Sequence, residues 1–267
     1  MSCIKVQCPA KINLTLKITG KRDDGFHNIE SIMQAISLYD YLTITVEPSE
    51  IFSVNLSGNS TEIPYNEKNL VYKATELYLN EIHDKNYHIT VFIDKNIPVA
   101  AGLAGGSTDA AGTLYGLNQL FNNRLNKTEL HNLCSKLGSD LNFCLEGGTQ
   151  YTSGRGEILK PAEFKKQNIS LIKPLNLGIS AKEAYTKFSQ KKEHNEKGRE
   201  NYINDLEWAV IDDYKELQAI KNKYPNAIMS GSGSTYFIID KCFDNNEGYW
   251  IKNNLTAISF GVTEIKD

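Results

Sequence analysis

This chain has too few cysteines, in the wrong places, for a disulfide scaffold or a zinc site. The five of them, Cys3, Cys8, Cys134, Cys144 and Cys242, are odd in number and include no Cys-x-x-Cys pair, a pattern that fits a reducing compartment. An excess of basic residues is also missing. The 29 Lys and Arg against 32 Asp and Glu leave a net charge of -3, which argues against nucleic acid or an anionic membrane as the main partner. No apolar run approaches the roughly 20 residues a membrane span needs. Lys5, Lys11 and Lys17 interrupt residues 1–20, so no signal peptide is expected there. The Gly-Lys-Ser/Thr end of a Walker A loop, the GxGxxG fingerprint, and the HRD and DFG signatures of protein kinases are all absent. Internal repeats and low-complexity tracts are absent too. With 267 residues, 40% hydrophobic and 23% charged, the chain suits one large or two modest globular domains, expected in the cytoplasm.

What is present is a glycine- and alanine-rich segment, Ile97 to Ala111. It follows an apolar run, Ile89 to Ile93, and leads into Ala110, Ala111, Leu114, Leu117 and Phe121 at helical spacing. Small residues leave its backbone open to close approach by a ligand. Ser107, Thr108 and Asp109 occupy positions expected of helix caps. Converging N–H groups at a helix start favour an anion, phosphate above all.

Around this segment the pattern predicts mixed strands and helices. Ile12, Leu14, Leu16 and Ile18 alternate with Lys11, Asn13, Thr15 and Lys17, which predicts a half-buried strand with Lys11 and Asn13 on one side. Tyr41–Val46 and Ile51–Leu56 are expected strands. Helices are expected over Asn69–Ile82 and from Thr128 to Leu137, the second stopped by Gly138 at its C-terminus. A further helix is expected from Asp205 to Lys223, then a Ser/Gly turn and a strand over Thr235–Ile239. The charged run Gln190–Glu200 predicts an exposed loop, and a boundary is expected near residues 155–168. No regular βαβ repeat emerges, so the fold class is α+β.

Two polar residues acquire meaning beside a phosphate loop. Taken alone, Lys11 is a solvated lysine on a strand face, and Asp140, after Gly138-Ser139, is a helix cap. A kinase acting on an alcohol needs a carboxylate to accept the hydroxyl proton and a cation to offset charge on the moving phosphoryl group. His27, Phe26 and Tyr185 likewise have ordinary readings, as a surface histidine after the Asp23-Asp24-Gly25 turn and as core aromatics. His83, His88, His131 and His194 have no partners around them in the sequence and are read as structural, and Asp109 as a helix-start residue.

Taken together the segments resemble a family, the GHMP kinases. The resemblance rests on Pro9-Ala10-Lys11-Ile12-Asn13, on Pro98 to Ala111, and on Met229-Ser230-Gly231-Ser232-Gly233-Ser234-Thr235. A narrower resemblance, to members acting on a cytidine diphosphate-linked polyol, rests on Lys21 to His27, Gly138-Ser139-Asp140, Gly154-Arg155-Gly156-Glu157 and Asn204-Asp205-Leu206-Glu207. Ala101 and Ala104 stand where many such proteins have glycine, Phe26 where tyrosine is common, and Ser234 where proline is usual.

The resemblance implies a two-domain GHMP kinase fold: a ribosomal protein S5 domain 2-like part over 1–160 and a ferredoxin-like part over 161–267 that covers the substrate. It implies ATP-dependent phosphorylation of the C2 hydroxyl of that polyol, in the non-mevalonate route to isoprenoid precursors. Asp140 would be the base and Lys11 its cationic neighbour. ATP would lie against Pro98, Val99, Ala100, Ala101, Gly102, Leu103, Ala104, Gly105, Gly106, Ser107 and Thr108, with Mg2+ near Ser107 and the adenosine end near Asn69 and Lys95. Asn13 would bind the polyol, His27 would read the cytosine edge, and Phe26 and Tyr185 would clamp its ring. The expected protein is a monomer or homodimer. The rivals are a GHMP kinase for mevalonate, homoserine or a sugar, and a non-catalytic nucleotide-binding protein of the same fold.

Overall fold

A computed structural model describes residues 1–194 and 196–266. Two long strands, β1 (Ser2–Lys21) and β2 (His27–Pro48), form its spine as an antiparallel hairpin. Asp24 closes the hairpin by accepting the Phe26 N–H at 3.1 Å, and Gly25 supplies the positive φ of 84° that the turn needs. There follow β3 (Ser53–Gly58), α1 (Leu70–Glu81), β4 (Tyr87–Asp94), α2 (Gly105–Leu120), α3 (Lys127–Leu137), α4 (Leu141–Glu146), β5 (Thr149–Ser153) and β6 (Ile158–Pro161). Then come β7 (Asn168–Pro174), α5 (Ala181–Glu193), α6 (Asp205–Val210), α7 (Lys215–Lys223), β8 (Ile228–Met229), β9 (Tyr236–Ile239), β10 (Tyr249–Thr256) and β11 (Thr263–Glu264).

The two halves of the hairpin have different partners. The outer end of β2, Tyr41 to Pro48, pairs with β4, whereas Ser31 to Gln34 pair with β5. The first sheet runs β11-β1-β2-β4-β3, with β5 and β6 extending from β2. The second runs β10-β7-β9-β8. The chain's last strand, β11, returns to β1. Most neighbours are antiparallel, but β3 lies parallel to β4, reached by the α1 crossover. The architecture is α+β, as the sequence predicts. Among the described residues no helix is long and apolar enough to cross a membrane.

Four packed clusters follow from this layout, the smallest being Met33, Ala35, Phe143 and Ile258. Val6, Leu42, Ile44 and Val91 carry α1 and α2 through Val71, Tyr78, Leu114 and Leu117. The far half of the hairpin, Leu16, Ile18 and Ile29, packs instead on Phe188, Trp208, Leu217 and Tyr236. Ala10, Ile12, Ile36 and Leu103 meet Ile169, Leu171 and Phe237 between the sheets. The middle of β1 is therefore covered on both faces. Removing a large side chain from any of these clusters costs about 2–5 kcal/mol.

Several expectations need correction. The strand through Lys11 is not half-buried: Ile12 turns one face to the second sheet, and on the other Lys11 and Asn13, 4% and 0% exposed, are covered by Asp140, Ser31 and Ser230. A bulge between Asn13 and Thr15 breaks the alternation and sends Leu14 and Leu16 into different clusters. The helix expected over 205–223 breaks at Tyr214, whose φ of -129° and ψ of 107° are extended. The Gln218 amide takes up the carbonyls of Ile211 and Asp212 freed by that break. Gly138 ends α3 in an extended conformation, with φ 174°, and not in a left-handed one. Gln190 to Glu193 belong to α5 and not to a loop, and Asn195 of that run lies outside the described residues.

Candidate active site

A cavity of about 980 Å³ opens between the glycine-rich loop, the β1–β2 hairpin and α5, and most of the expected site residues line it. One wall is the glycine-rich loop. Helix α2 starts at Gly105, after Ala104 in a left-handed conformation with φ 60°, and no side chain caps its first turn. This corrects the cap assignment: Ser107, Thr108 and Asp109 lie inside the helix. The uncapped N–H groups and the helix dipole face an anion's position directly. Pro98, Val99, Ala100, Ala101 and Gly102 line the cavity before the helix, and Gly105, Gly106 and Ser107 at its start. Leu103 and Thr108 turn away. Leu103 is fully buried in the central cluster, where its carbonyl accepts the Lys11 N–H, and Thr108 is fully buried as well.

The serine-glycine segment before β9 is laced to this loop. The Ser230 hydroxyl donates to the Gly102 carbonyl at 3.0 Å, and the Thr235 N–H donates to the Ala101 carbonyl at 3.3 Å. The approach is so close that a Cβ on Gly102, at φ +73°, would fall 2.0 Å from the Ser230 carbonyl oxygen. Asn204 holds the segment from behind. Its amide donates to the carbonyls of Met229 and Gly231 at 2.7 and 2.8 Å, while its oxygen caps α6 at Leu206. That double duty explains the Asn204-Asp205-Leu206-Glu207 tetrapeptide, to which sequence reasoning assigned no role.

At the centre, the Lys11 ammonium lies 3.5 Å from Asp140 Oδ2 and donates to Asn13 Oδ1 at 2.7 Å. Asn13 in turn donates to Ser31 Oγ at 2.8 Å, so β2 orients the amide. Asp140 occupies the residue before α4 but makes no capping bond, which leaves its carboxylate to the cavity, 28% exposed. Lys11, on β1, is 5% exposed there and reaches the cavity only with its tip.

The far end holds the aromatic residues. His27 stacks on Tyr185 with centroids 5.1 Å apart at 19°, meets Phe188 edge-on, and lies 3.1 Å from Ser189 Oγ through Nε2. Burial, with the Lys21 ammonium adding to it, pulls the His27 imidazole below its usual value. The ring is therefore neutral at pH 7, with one donor and one acceptor nitrogen. Burial pushes the Tyr185 phenol up. Phe26 is 50% exposed, and the Arg155 guanidinium lies 4.9 Å over its ring. His27, not open space, occupies the Tyr185 face in this structure. Sequence reasoning gave Arg155 no role. Its place in the Gly154-Arg155-Gly156-Glu157 tetrapeptide was the signal that could have found it.

Asn69 and Lys95 also line the cavity, with their polar groups already engaged. Asn69 caps α1 through the Val71 N–H at 2.9 Å and donates to the Pro64 carbonyl. Lys95 is paired with Asp40 and, at 2.9 Å, with Asp109. Burial pushes the Asp109 carboxyl up, against the pull of Lys95. Among the described residues, no group of three His, Cys, Asp or Glu side chains is placed to hold a metal ion.

Cleft, loop and fold define a class. Residues 69–148 match the N-terminal domain of the GHMP kinases, and the chain is an ATP-dependent kinase of that class. A solved homoserine kinase from Cytophaga hutchinsonii shares the fold, with a TM-score of 0.66 at 15% identity over 99% of this chain and 98% of that one. A crystal structure of 4-(cytidine 5'-diphospho)-2C-methyl-D-erythritol kinase matches with a TM-score of 0.70 and 26% identity over 95% of this chain and 99% of its own. The 4-diphosphocytidyl-2-C-methyl-D-erythritol kinase of Thermoanaerobacter pseudethanolicus is 40% identical over 92% of this chain and 90% of its length. That of Prochlorococcus marinus subsp. pastoris is 38% identical over 97% of both. The chain belongs to the 4-diphosphocytidyl-2-C-methyl-D-erythritol kinase family.

Proposed function

We propose that the protein transfers the γ-phosphoryl group of ATP to the C2 hydroxyl of 4-diphosphocytidyl-2-C-methyl-D-erythritol, giving the 2-phosphate in the non-mevalonate route to isoprenoid precursors. The observation that carries the proposal is the placing of the Lys11–Asp140 pair, 3.5 Å apart, in one cavity between the uncapped start of α2 and the group Phe26, His27 and Tyr185. Mevalonate, homoserine and sugars offer no base for that aromatic end to hold.

In this reading Asp140 accepts the hydroxyl proton, and Lys11 steadies both the hydroxyl and the incoming phosphoryl group. Asn13, fixed by Lys11 and Ser31, binds the methylerythritol end. A neutral His27 reads the cytosine edge, with Phe26 and Tyr185 flanking the ring. The loop from Pro98 to Ser107 holds the ATP phosphates, and the adenosine end lies toward Asn69 and Lys95. Transfer is direct and in line, since rate comes chiefly from positioning and charge stabilisation.

The loop also suits Mg2+. This ion keeps several waters and needs few protein ligands beside nucleotide phosphates, so a three-carboxylate cluster is not required. Ser107 lines the cavity at the helix start, and buried Asp109 Oδ1 has no hydrogen-bond partner. Bound there, the ion would neutralise phosphate charge. Residues 1–160 supply base, cation and nucleotide loop, and 161–267 cover the substrate, in a cytoplasmic monomer or homodimer.

The test is ADP release with Mg-ATP on the cytidylyl polyol, mevalonate and homoserine in parallel. Turnover on the first alone is the expected result. Turnover on another alcohol alone would leave the loop and base standing and overturn the pocket assignment.

A further inference from the structure

Three buried charged groups are joined beneath the nucleotide loop, and the reading above leaves their pairing unused. Asp40, on β2, is fully buried. Its Oδ1 accepts the N–H groups of Asn96 and Ile97 at 2.5 and 2.8 Å, the first residues of the loop after β4. Its Oδ2 pairs with the Lys95 ammonium. Lys95 pairs in turn with Asp109 Oδ2 at 2.9 Å, on α2 just past the loop's other end. The three side chains are 0%, 5% and 4% exposed. One carboxylate thus grips the entry of the loop, and the ammonium bound to it grips the exit.

We infer that Asp40, Lys95 and Asp109 form a staple that closes the two ends of the nucleotide loop, making them positioning residues for ATP. Three observations support action through the backbone. The Lys95 ammonium has both its carboxylate partners within the protein. It also lies against the first residue of α2, where a Cβ on Gly105 would be 2.7 Å away. Asp40 does not line the cavity, so any effect of Asp40 on nucleotide binding must travel through its neighbours. The cation is engaged on both sides within the protein, and its contribution is therefore shape more than attraction. A loop held closed at both ends needs no ordering when nucleotide arrives, and pre-organisation of that kind appears as affinity.

This inference rests on the nucleotide half of the kinase reading. Titration calorimetry with Mg-ATP and no alcohol therefore tests it even if turnover of the cytidylyl polyol fails. Lys95→Met, Asp40→Asn and Asp109→Asn are compared with the native protein. The expected result is about tenfold weaker nucleotide binding in Lys95→Met and several-fold weaker binding in both Asn variants, which keep an acceptor. The KM for the alcohol should stay within twofold. Amide exchange over residues 96–104 should quicken in the free variants and return to the native rate at saturating nucleotide. Weakening in Lys95→Met alone would mean direct contact with the nucleotide and overturn the staple. So would unchanged affinity in all three, or faster exchange spread evenly over the protein. If the variants do not fold, the native protein decides. The Asn96 and Ile97 amides should exchange slowly without nucleotide, and exchange as fast as in the exposed 245–247 segment would overturn the inference.

Discussion

Lys11 Nζ stands 3.5 Å from Asp140 Oδ2, with the lysine on the central strand and the aspartate at the start of a short helix. The two belong to elements 129 positions apart in the chain, and the sheet-to-helix packing alone brings them together. Because the Asp140 carboxylate does not cap its own helix, its oxygens remain available to a substrate. Lys11 is held beside it by its hydrogen bond to Asn13.

The Gly102 contact sets how closely the serine-glycine segment can lie on the loop. An alanine there meets the Ser230 carbonyl oxygen at 2.0 Å and must also hold φ +73°. Overpacking and left-handed strain together cost about 3 kcal/mol. Gly102→Ala should therefore lower the melting temperature and weaken nucleotide binding. A native melting temperature in this variant would contradict the described contact.

Ala104 is the opposite case, an alanine where the backbone is left-handed, with φ 60°. Glycine adopts that conformation freely but loses more entropy on folding. Relief of the strain outweighs that entropy loss, so Ala104→Gly should stabilise the protein by about 0.5–1 kcal/mol. Chemical denaturation reads this as a rise in midpoint at constant slope.

Helix α4 is anchored at the end away from Asp140. Glu146 lies 2.7 Å from His131 Nε2 and 2.8 Å from Lys127 Nζ. The His131 hydrogen bond, opposed by burial and reinforced by Lys127, draws the Glu146 carboxyl from the ordinary 4.5 down to about 2. A carboxyl with a depressed value in the folded state stabilises fully above the unfolded value and loses that contribution as the pH falls through the folded one. Glu146→Gln should thus melt below the native protein at pH 6, and the gap should close between about pH 4.5 and 2. A gap that persists at pH 2 would contradict the pairing.

Local signals carried much of this fold into the sequence. Asn69 before an apolar period marked α1 to within a residue, and the Asp23-Asp24-Gly25 turn closed the β1–β2 hairpin as its chemistry requires. Lys11 and Asn13 fell on one side of β1, where their side chains now hydrogen-bond. What stayed hidden was set by distant contacts. Asp40 lies 55 positions before the lysine it pairs with, and nothing in its own surroundings announces the partnership. The break at Tyr214 leaves no mark in the spacing of Leu206, Val210, Leu217 and Ile220, because all four still reach one cluster. The start of α2 was misplaced because Ala104 carries a conformation usually left to glycine. His27 was expected to read a ligand's edge and Tyr185 to flank its ring, and their stacking on one another depends on how α5 packs over the hairpin.

Asp140→Asn tests the central claim most directly, measured in one preparation for both Mg-ATP affinity and turnover on 4-diphosphocytidyl-2-C-methyl-D-erythritol. Asparagine keeps the shape and removes the proton acceptor. The account predicts nucleotide affinity within a few-fold of native and turnover lower by about 10²–10⁴. Near-native turnover would contradict it.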